Sequence, residues 1–195
     1  GGFPDLAYLE GAEHWDDVVR PHAGAEPDYE RVPFDHPLYI MYSSGTTGPP
    51  KCIVQSTGGI LLNQLKEHRL HVDLGPGDRL FYFTTCGWMM WNWLVAGLGT
   101  GATIVLFDGS PFHPDASALW RLAEQERITH FGSSAKYFAA LEKAGARPGA
   151  SFDLSPLRTI LSTGSPLVEE SFDYLYREVK ADVQVASISG GTDLN

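Results

Sequence analysis

Basic residues and cysteine are both scarce in this chain of 195 residues. Lysine and arginine number 14 against 24 aspartates and glutamates, so the formal net charge is −10 at pH 7. Nucleic acids and anionic membrane surfaces carry charge of the same sign, and we expect neither as a partner. Two cysteines, Cys52 and Cys86, provide no disulfide framework and no Cys-x-x-Cys metal spacing, which favours a reducing, cytoplasmic location.

A signal peptide and a membrane span are both missing from the pattern of the sequence. The N-terminus lacks a basic segment followed by an apolar core and a cleavage site of small residues. From Leu80 to Phe107 no residue is charged, and the run is long enough to cross a bilayer. The cluster Gly97-Leu98-Gly99-Thr100-Gly101 interrupts it, however, leaving a helix rich in Trp and Met and a short strand over residues 102–107. We therefore expect no transmembrane helix.

Helical periodicity alternates with short apolar runs along most of the chain. Helices are predicted at residues 58–72, in the Trp-rich segment, and at 116–125, 135–143 and 167–179. Strands are predicted at residues 39–43, 53–55, 80–84, 102–107, 129–131, 159–161 and 183–188. This alternation is typical of a layered α/β domain with a largely parallel sheet flanked by helices. Residues 1–33 are interpreted as a peripheral segment, with a short helix at 14–19 and a Pro-rich connector, and residues 34–195 as the main domain.

The loop between the first two predicted strands is unusually rich in hydroxyl groups. The apolar run Leu38-Tyr39-Ile40-Met41, which suits a buried strand, precedes it. The hydroxyls of the loop and the backbone N–H groups at its glycines could converge on an anion, with a lysine at the far end. The residues that carry these groups are Ser43, Ser44, Gly45, Thr46, Thr47, Gly48 and Lys51. This is not a Walker A loop, because Cys52 follows the lysine. An ordinary polar turn is the alternative.

Three more loops follow predicted strands, where ligands bind in parallel sheets. They are residues 85–91, 162–167 and 189–193. Each has a purely structural alternative. Consecutive Trp and Met residues in the first loop cannot share one helix face, so some belong to the core. Ser165 could be the N-cap of the next helix with Pro166 at its first position. Residues 189–193 could be a plain turn.

Taken in order, these four loops resemble the adenylate-forming enzymes, which include the acyl-CoA synthetases, the luciferases and the adenylation domains. The first loop is similar to the phosphate loop of that family, and Gly87-Trp88, Gly164-Ser165-Pro166 and Ser189-Gly190-Gly191-Thr192-Asp193 follow at similar intervals. The sequences of the segments at 84–92 and 189–193 are most similar to those of the members that activate acetoacetate. One departure is Cys52, where the family usually has glycine.

The resemblance implies a reaction and a set of site residues. ATP would convert acetoacetate into an acyl-adenylate, and CoA would then form the thioester, with Mg²⁺ as cofactor. Thr192 and Lys51 would be catalytic, and Asp193 would hold Mg²⁺ where relatives use Glu. The residues expected to bind nucleotide or phosphate are Ser43, Ser44, Gly45, Thr46, Thr47, Gly48, Lys51, Gly164, Ser165, Pro166, Ser189, Gly191 and Thr192. Those expected to line the acyl pocket are Trp88, Met89, Met90 and Gly190.

The same resemblance indicates which acid fits. Related acetyl-CoA synthetases have Trp where this chain has Gly190, so a longer or more polar acid would have room here, while Met89 and Met90 shape the remaining wall. Family members are several times longer, and residues 34–195 are interpreted as part of the large N-terminal AMP-binding domain without its C-terminal domain. We expect this part alone to be inactive, with the rest of its own chain as a necessary partner. A nucleotide-binding module without catalysis and a synthetase for another short-chain acid are the alternatives.

Overall fold

The computed structural model describes residues 9–43 and 48–194. Its contacts divide the chain into two compact units, residues 1–32 and residues 33–195. In the first unit, helix α1 (Trp15–Val19) continues into a 3-10 turn at Arg20–His22, as the predicted helix at 14–19 anticipated. None of the residues in these two elements is buried.

A two-stranded antiparallel hairpin begins the second unit. Strand β1 (Pro37–Ser43) pairs with β2 (Lys51–Ser56), so the predicted order of strand, loop and strand is confirmed. The expectation of a buried strand is wrong, because Leu38, Ile40 and Tyr42 alternate onto one side and are 45%, 60% and 66% exposed. The hairpin is a separate sheet, and no helix of the described chain covers that side. The prediction failed because an apolar run indicates a strand but does not indicate what packs on it.

A five-stranded sheet forms the centre of the second unit. Its strands are β3 (Arg79–Tyr82), β4 (Thr103–Val105), β5 (His130–Ser134), β6 (Thr159–Thr163) and β7 (Gln184–Ser187). They lie in the order β4-β3-β5-β6-β7, and every neighbouring pair is parallel. The predicted parallel sheet is therefore confirmed, and the carboxyl ends of all five strands lie at one edge.

Helices cover both faces of this sheet, which makes three layers. Successive residues of β3 point to opposite faces, so Leu80 and Tyr82 belong to one apolar cluster and Phe81 to the other. The first cluster includes residues of α3 (Met89–Ala96), and α2 (Thr57–Lys66), with the helical turn that continues it, packs beside α3. The second cluster is covered by α4 (Ala118–Gln125), α5 (Ala135–Lys143) and α7 (Glu169–Tyr174). A short helix that the sequence did not predict, α6, spans Pro148–Ser151.

Helix α2 buries part of the face that its sequence predicts, on which Ile60, Leu61, Leu65 and His68 recur at helical spacing. It continues as a π-helical turn at Glu67–His71, so its extent matches the predicted 58–72. Leu61, which was expected on the inner face, is 49% exposed. Ile60 and His68 are buried as predicted, and Gln64 is buried with them, because the three recur at intervals of four residues along the side that faces the core. Gln64 is polar, so a search for apolar residues did not identify it.

The charge-free run from Leu80 to Phe107 consists of four separate elements. Strand β3, helix α3, a 3-10 helix at Gly97–Thr100 and strand β4 follow one another. Gly101 ends the 3-10 helix with a φ of 86°, a left-handed conformation that glycine adopts without a steric penalty. The predicted interruption at residues 97–101 is confirmed. Among residues 9–43 and 48–194, no helix has the length and apolar content to cross a bilayer.

Candidate active site

A cavity of about 450 Å³ opens beyond the carboxyl ends of β3, β6 and β7. It brings together residues from three loops that are far apart in the sequence. All four residues predicted for the acyl pocket line it, together with four of those predicted to bind nucleotide: Trp88, Met89, Met90, Gly190, Gly164, Ser189, Gly191 and Thr192. The clustering of predicted ligand loops at this edge of the sheet is what parallel topology requires.

A second cavity of about 340 Å³ adjoins the first. Ser165 and Pro166, predicted for the adenine slot, line this one. The two cavities share five lining residues, Thr163, Gly164, Ile188, Ser189 and Gly190. A ligand with an acyl end in the first cavity and a planar end in the second would therefore pass over the loop at 188–190.

The loop after β6 is shaped by its glycine. Gly164 has a φ of 88°, which a residue with a side chain rarely adopts. Helix α7 begins only at Glu169, with Val168 at the N-cap position and no side-chain capping bond. The alternative that Ser165 caps this helix is therefore wrong, because a cap must lie directly before the first helical residue. Ser165 and Pro166 lie beside the second cavity instead.

Hydrogen bonds hold the ends of β6 and β7 together under the cavities. The Thr163 hydroxyl donates to the carbonyl of Ile188 over 3.0 Å. The amide of Ile188 donates to the carbonyl of Ser162 over 2.7 Å. The amide of Leu167 donates to the Ser187 hydroxyl over 3.2 Å. The two loops predicted to contact nucleotide are thereby fixed relative to each other.

The predicted acyl wall is formed by the start of α3. Met90 is buried, and the Trp88 ring packs edge-on against Tyr82, with ring centroids 5.9 Å apart. Gly190 lines the same cavity, and a Cβ placed on it would meet no atom within 4 Å. The absence of a side chain at this position therefore leaves open space beside the wall.

A buried histidine supports α3 from behind. The His68 ring packs against Trp93 with centroids 4.2 Å apart, and its Nε2 lies 2.8 Å from the Trp93 carbonyl oxygen. Burial lowers the pKa of His68 to about 4, although this carbonyl and the carboxylate of Glu67 oppose the shift. The imidazole is thus neutral at pH 7, and Nε2 carries the proton that it donates to the carbonyl.

The hairpin and the last loop meet directly. The side-chain amide of Gln55, on β2, donates to the carbonyl oxygen of Thr192 over 2.8 Å. The amide of Asn63, on α2, donates to the carbonyl of Leu194 over 3.1 Å. The predicted phosphate loop joins β1 to β2, so the strand that follows it lies on the same side of the molecule as the Thr192 segment.

The predicted residues of the phosphate loop are only partly described. Ser44, Gly45, Thr46 and Thr47 lie outside the described residues. Ser43 and Lys51 are opposite each other in the register of the hairpin, and neither lines the two cavities. Gly48 has a φ of 132°, and it does not line these cavities either. Lys51 is four residues from Gln55, a distance of about 13 Å along an extended strand.

Asp193 is an exposed carboxylate beside Thr192. One of its oxygens lies 2.5 Å from where a Cβ on Gly191 would stand, so the carboxylate folds back over that glycine. Among the residues that the structure describes, no group of three or more His, Cys, Asp or Glu could hold a metal ion. Mg²⁺ in nucleotide sites needs only one or two carboxylates together with phosphate oxygens and waters. The donor at Asp193 fits that requirement.

Several residues at the site were not predicted from the sequence, among them three polar ones. Gln55 contacts Thr192, and Asn63 and Lys66 line the larger cavity. The available signal is that Asn63 and Lys66 are polar residues within the predicted helix at 58–72, soon after the phosphate loop. That pattern by itself predicts only a helix.

Comparison with known proteins identifies the family. The model of the AMP-binding enzyme family matches residues 4–192, nearly the whole chain. The chain belongs to the AMP-binding enzyme family. Among solved structures, an acetoacetyl-CoA synthetase from Streptomyces lividans is similar, with a TM-score of 0.82 and 57% identity over 87% of this chain and 27% of that chain.

Curated members of the AMP-binding family give the same picture. An acetoacetyl-coenzyme A synthetase of Rhizobium meliloti is 61% identical over 85% of this chain and 26% of its own length. A malonamoyl-CoA synthetase of Penicillium aethiopicum is 47% identical over 86% of this chain and 25% of its own length. The chain therefore spans about a quarter of the length of the curated relatives it matches.

Proposed function

We propose that this chain is part of an acid-thiol ligase that activates acetoacetate with ATP and transfers the acyl group to CoA. The observation that carries the proposal is one cavity lined both by the predicted acyl wall and by the predicted nucleotide loops. An acid held against Met89 and Met90 would have its carboxylate close to Thr192. Two substrates that must react with each other therefore have adjoining places in the molecule.

The names of the relatives support a particular class of acid. They are named for acetoacetyl-CoA and for malonamoyl-CoA. Both acyl groups are short and have a carbonyl at the third carbon, as a ketone in one and an amide in the other. The substrate we propose is accordingly a short 3-oxo acid, with acetoacetate as the first choice and another short-chain acid as the alternative. Open space at Gly190 is consistent with an acid longer than acetate.

The first step is the formation of an acyl-adenylate. A carboxylate oxygen of the acid attacks the α-phosphate of ATP in line, and pyrophosphate leaves with the electrons of the broken P–O bond. Negative charge builds up on the phosphate oxygens, so donors already aimed at them lower the barrier. In this proposal Thr192 donates to the α-phosphate, and Lys51 and the hydroxyl loop at 43–48 hold the outer phosphates.

Magnesium would bind at Asp193. The carboxylate, phosphate oxygens of ATP and waters would complete its coordination, and the ion would neutralise charge on the departing pyrophosphate. Gly164, Ser165 and Pro166, with Ser189 opposite, would enclose the adenine in the smaller cavity. Gly191 allows the Asp193 carboxylate its position, because a Cβ there would collide with it.

The second step is transfer to CoA. The thiol attacks the acyl carbon of the adenylate, the acyl C–O bond breaks, and AMP leaves. We propose that residues 34–195 belong to a larger AMP-binding domain, with residues 1–33 as a peripheral segment, and that complete catalysis needs the remainder of a longer protein. The cytoplasmic location stays a prediction based on the two cysteines, both of which are unpaired and exposed.

The proposal is tested in the full-length protein by exchange of labelled pyrophosphate into ATP with acetoacetate present. Thr192→Ala should slow this exchange by roughly tenfold to a thousandfold, the scale for the loss of one transition-state donor. Thr103→Ala, on the exposed edge strand β4, is the matched control and should leave the rate unchanged. Full exchange in Thr192→Ala would show that the residue does not contact the reacting phosphate.

A nucleotide-binding module without catalysis predicts a different pair of measurements. Isothermal titration with ATP and Mg²⁺ would show binding, while no pyrophosphate would be released with acetoacetate or any other short acid. Binding together with acid-dependent release of pyrophosphate supports the ligase. Binding alone, in the full-length protein, would favour the module.

A further inference from the structure

The cavity that holds the acyl wall is not apolar throughout. Lys66 and Asn63, near the end of α2, line it together with Met89 and Met90. A hydrocarbon chain makes no hydrogen bond with an ammonium group. An acid with an internal carbonyl can make one, because its carbonyl oxygen accepts hydrogen bonds and needs a donor inside the pocket.

The Lys66 ammonium is held by two neighbours on its own helix. It donates to the Asn63 side-chain oxygen over 3.0 Å, and its Nζ lies 2.7 Å from Oε1 of Glu67. An ammonium has three N–H donors, so these contacts leave one for a ligand. The carboxylate of Glu67 only accepts and the Asn63 amide donates to the Leu194 carbonyl, so the ammonium is the charged donor at this place in the cavity.

The position of Lys66 relative to the reacting end is also suitable. Asn63, which holds the ammonium, contacts Leu194, two residues from Thr192. Thr192 and Lys66 line the same cavity, so an acid that presents its carboxylate to Thr192 has its third carbon within that cavity. The side chain of Lys66 is 47% exposed, so the group retains water contacts and its effect should be moderate.

We infer that Lys66 recognises the 3-oxo group of the acid by donating a hydrogen bond, with Asn63 and Glu67 orienting its ammonium. This inference rests on the proposed function and assigns the residue that distinguishes a 3-oxo acid from an aliphatic acid of the same length. The residue makes contact with the end of the acid that does not react. Its contribution should therefore depend on the acid and not on ATP.

The experiment compares acetoacetate with butyrate, which has a methylene in place of the ketone. In the full-length protein, Lys66→Met keeps the length of the side chain and its helix propensity but removes the donor. The ratio of kcat/KM for acetoacetate to that for butyrate should fall by roughly threefold to tenfold. This ratio does not depend on how much of the variant is folded. Lys66→Arg, which keeps a cation with N–H donors, should preserve most of the ratio.

Lys143→Met is the matched control. Lys143 is also an exposed lysine in a helix, but it does not line this cavity. Its substitution tests whether the replacement of an exposed helical lysine by methionine changes the ratio by itself. The ratio should stay at the wild-type value.

The possible results separate the inference from the proposed function. If the wild-type protein activates acetoacetate and Lys66→Met changes both acids equally or neither, the assignment of Lys66 is overturned while the ligase stands. If the wild-type protein activates neither acid, both fall together. A selective loss on acetoacetate, restored in Lys66→Arg, supports the inference.

Discussion

Position 190 determines how much of the cavity an acid can use. A Cβ placed on Gly190 meets nothing within 4 Å, and Met89 and Met90 line the same cavity. Size is a strong filter in such a pocket, because one methylene too many is worth a factor of ten or more in an apolar site. A large side chain at this position would take the volume that the end of a longer acid needs.

Gly190→Trp in the full-length protein should therefore favour acetate over acetoacetate. We expect the ratio of kcat/KM for acetoacetate to that for acetate to fall by roughly tenfold or more. Gly190→Ala is the control and should leave the ratio near the wild-type value, because a methyl group has room there. An unchanged ratio in Gly190→Trp would remove the size argument.

Residues of the site differ in how visible they are from the sequence. Gly164, Ser165, Pro166 and Thr192 belong to short local patterns, whose order along the chain suggested nucleotide loops. Gln55 and Asn63 donate to backbone carbonyls 137 and 131 residues away. No local pattern encodes such a contact, because it arises only when the folded chain brings the two segments together.

At the scale of elements, periodicity was sufficient for most helices and strands. Helix α5 has the predicted bounds, and the parallel strands follow apolar runs bounded by turns. The prediction for β1 failed in a different way. Its strand was predicted, but its burial was not, since alternation along a strand does not identify what covers each side.

The pairing of β3 with β5 depends on a glycine whose role the sequence periodicity does not predict. Gly132 lies directly opposite Tyr82 in the parallel register. A Cβ on Gly132 would stand 2.0 Å from the Tyr82 ring. The ring is buried, and its hydroxyl donates to the Ser133 carbonyl over 3.1 Å, so it has little freedom to move aside.

Gly132→Ala should lower the free energy of unfolding by about 1–3 kcal/mol, the usual cost of overfilling a packed core. Urea denaturation measures this change. Gly75→Ala is the control, because the nearest atom to its new Cβ is 3.9 Å away, and it should change stability little. Equal midpoints for the two variants would mean that the sheet adapts to the extra methyl group.

At the scale of the whole molecule, two buried histidines link stability to pH. His68 and His130 are both fully buried. Burial lowers the pKa of each, to about 4 for His68, while the carboxylate of Asp78 and the carbonyl of Val72 oppose the shift of His130. Below pH 6.5 the unfolded chain binds protons at these positions and the folded chain does not. Stability is therefore complete above pH 6.5 and is lost as the pH falls toward 4.

His68 alone should account for a loss of about 2 kcal/mol between pH 6.5 and 5, a window above the range in which most carboxylates titrate. Urea denaturation at a series of pH values provides the slope. His68→Leu should flatten it, whatever the absolute stability of that variant. His71→Gln, at an exposed position on the same turn, should keep the wild-type slope. A slope unaffected by His68→Leu would contradict the assignment.

The bond from Gln55 to position 192 ends on the main chain and not on the threonine hydroxyl. Any amino acid at 192 presents the same carbonyl, so the tether between β2 and the last loop survives substitution of the side chain. Evolution and mutagenesis can consequently vary the chemistry at this position without loosening the loop that carries it.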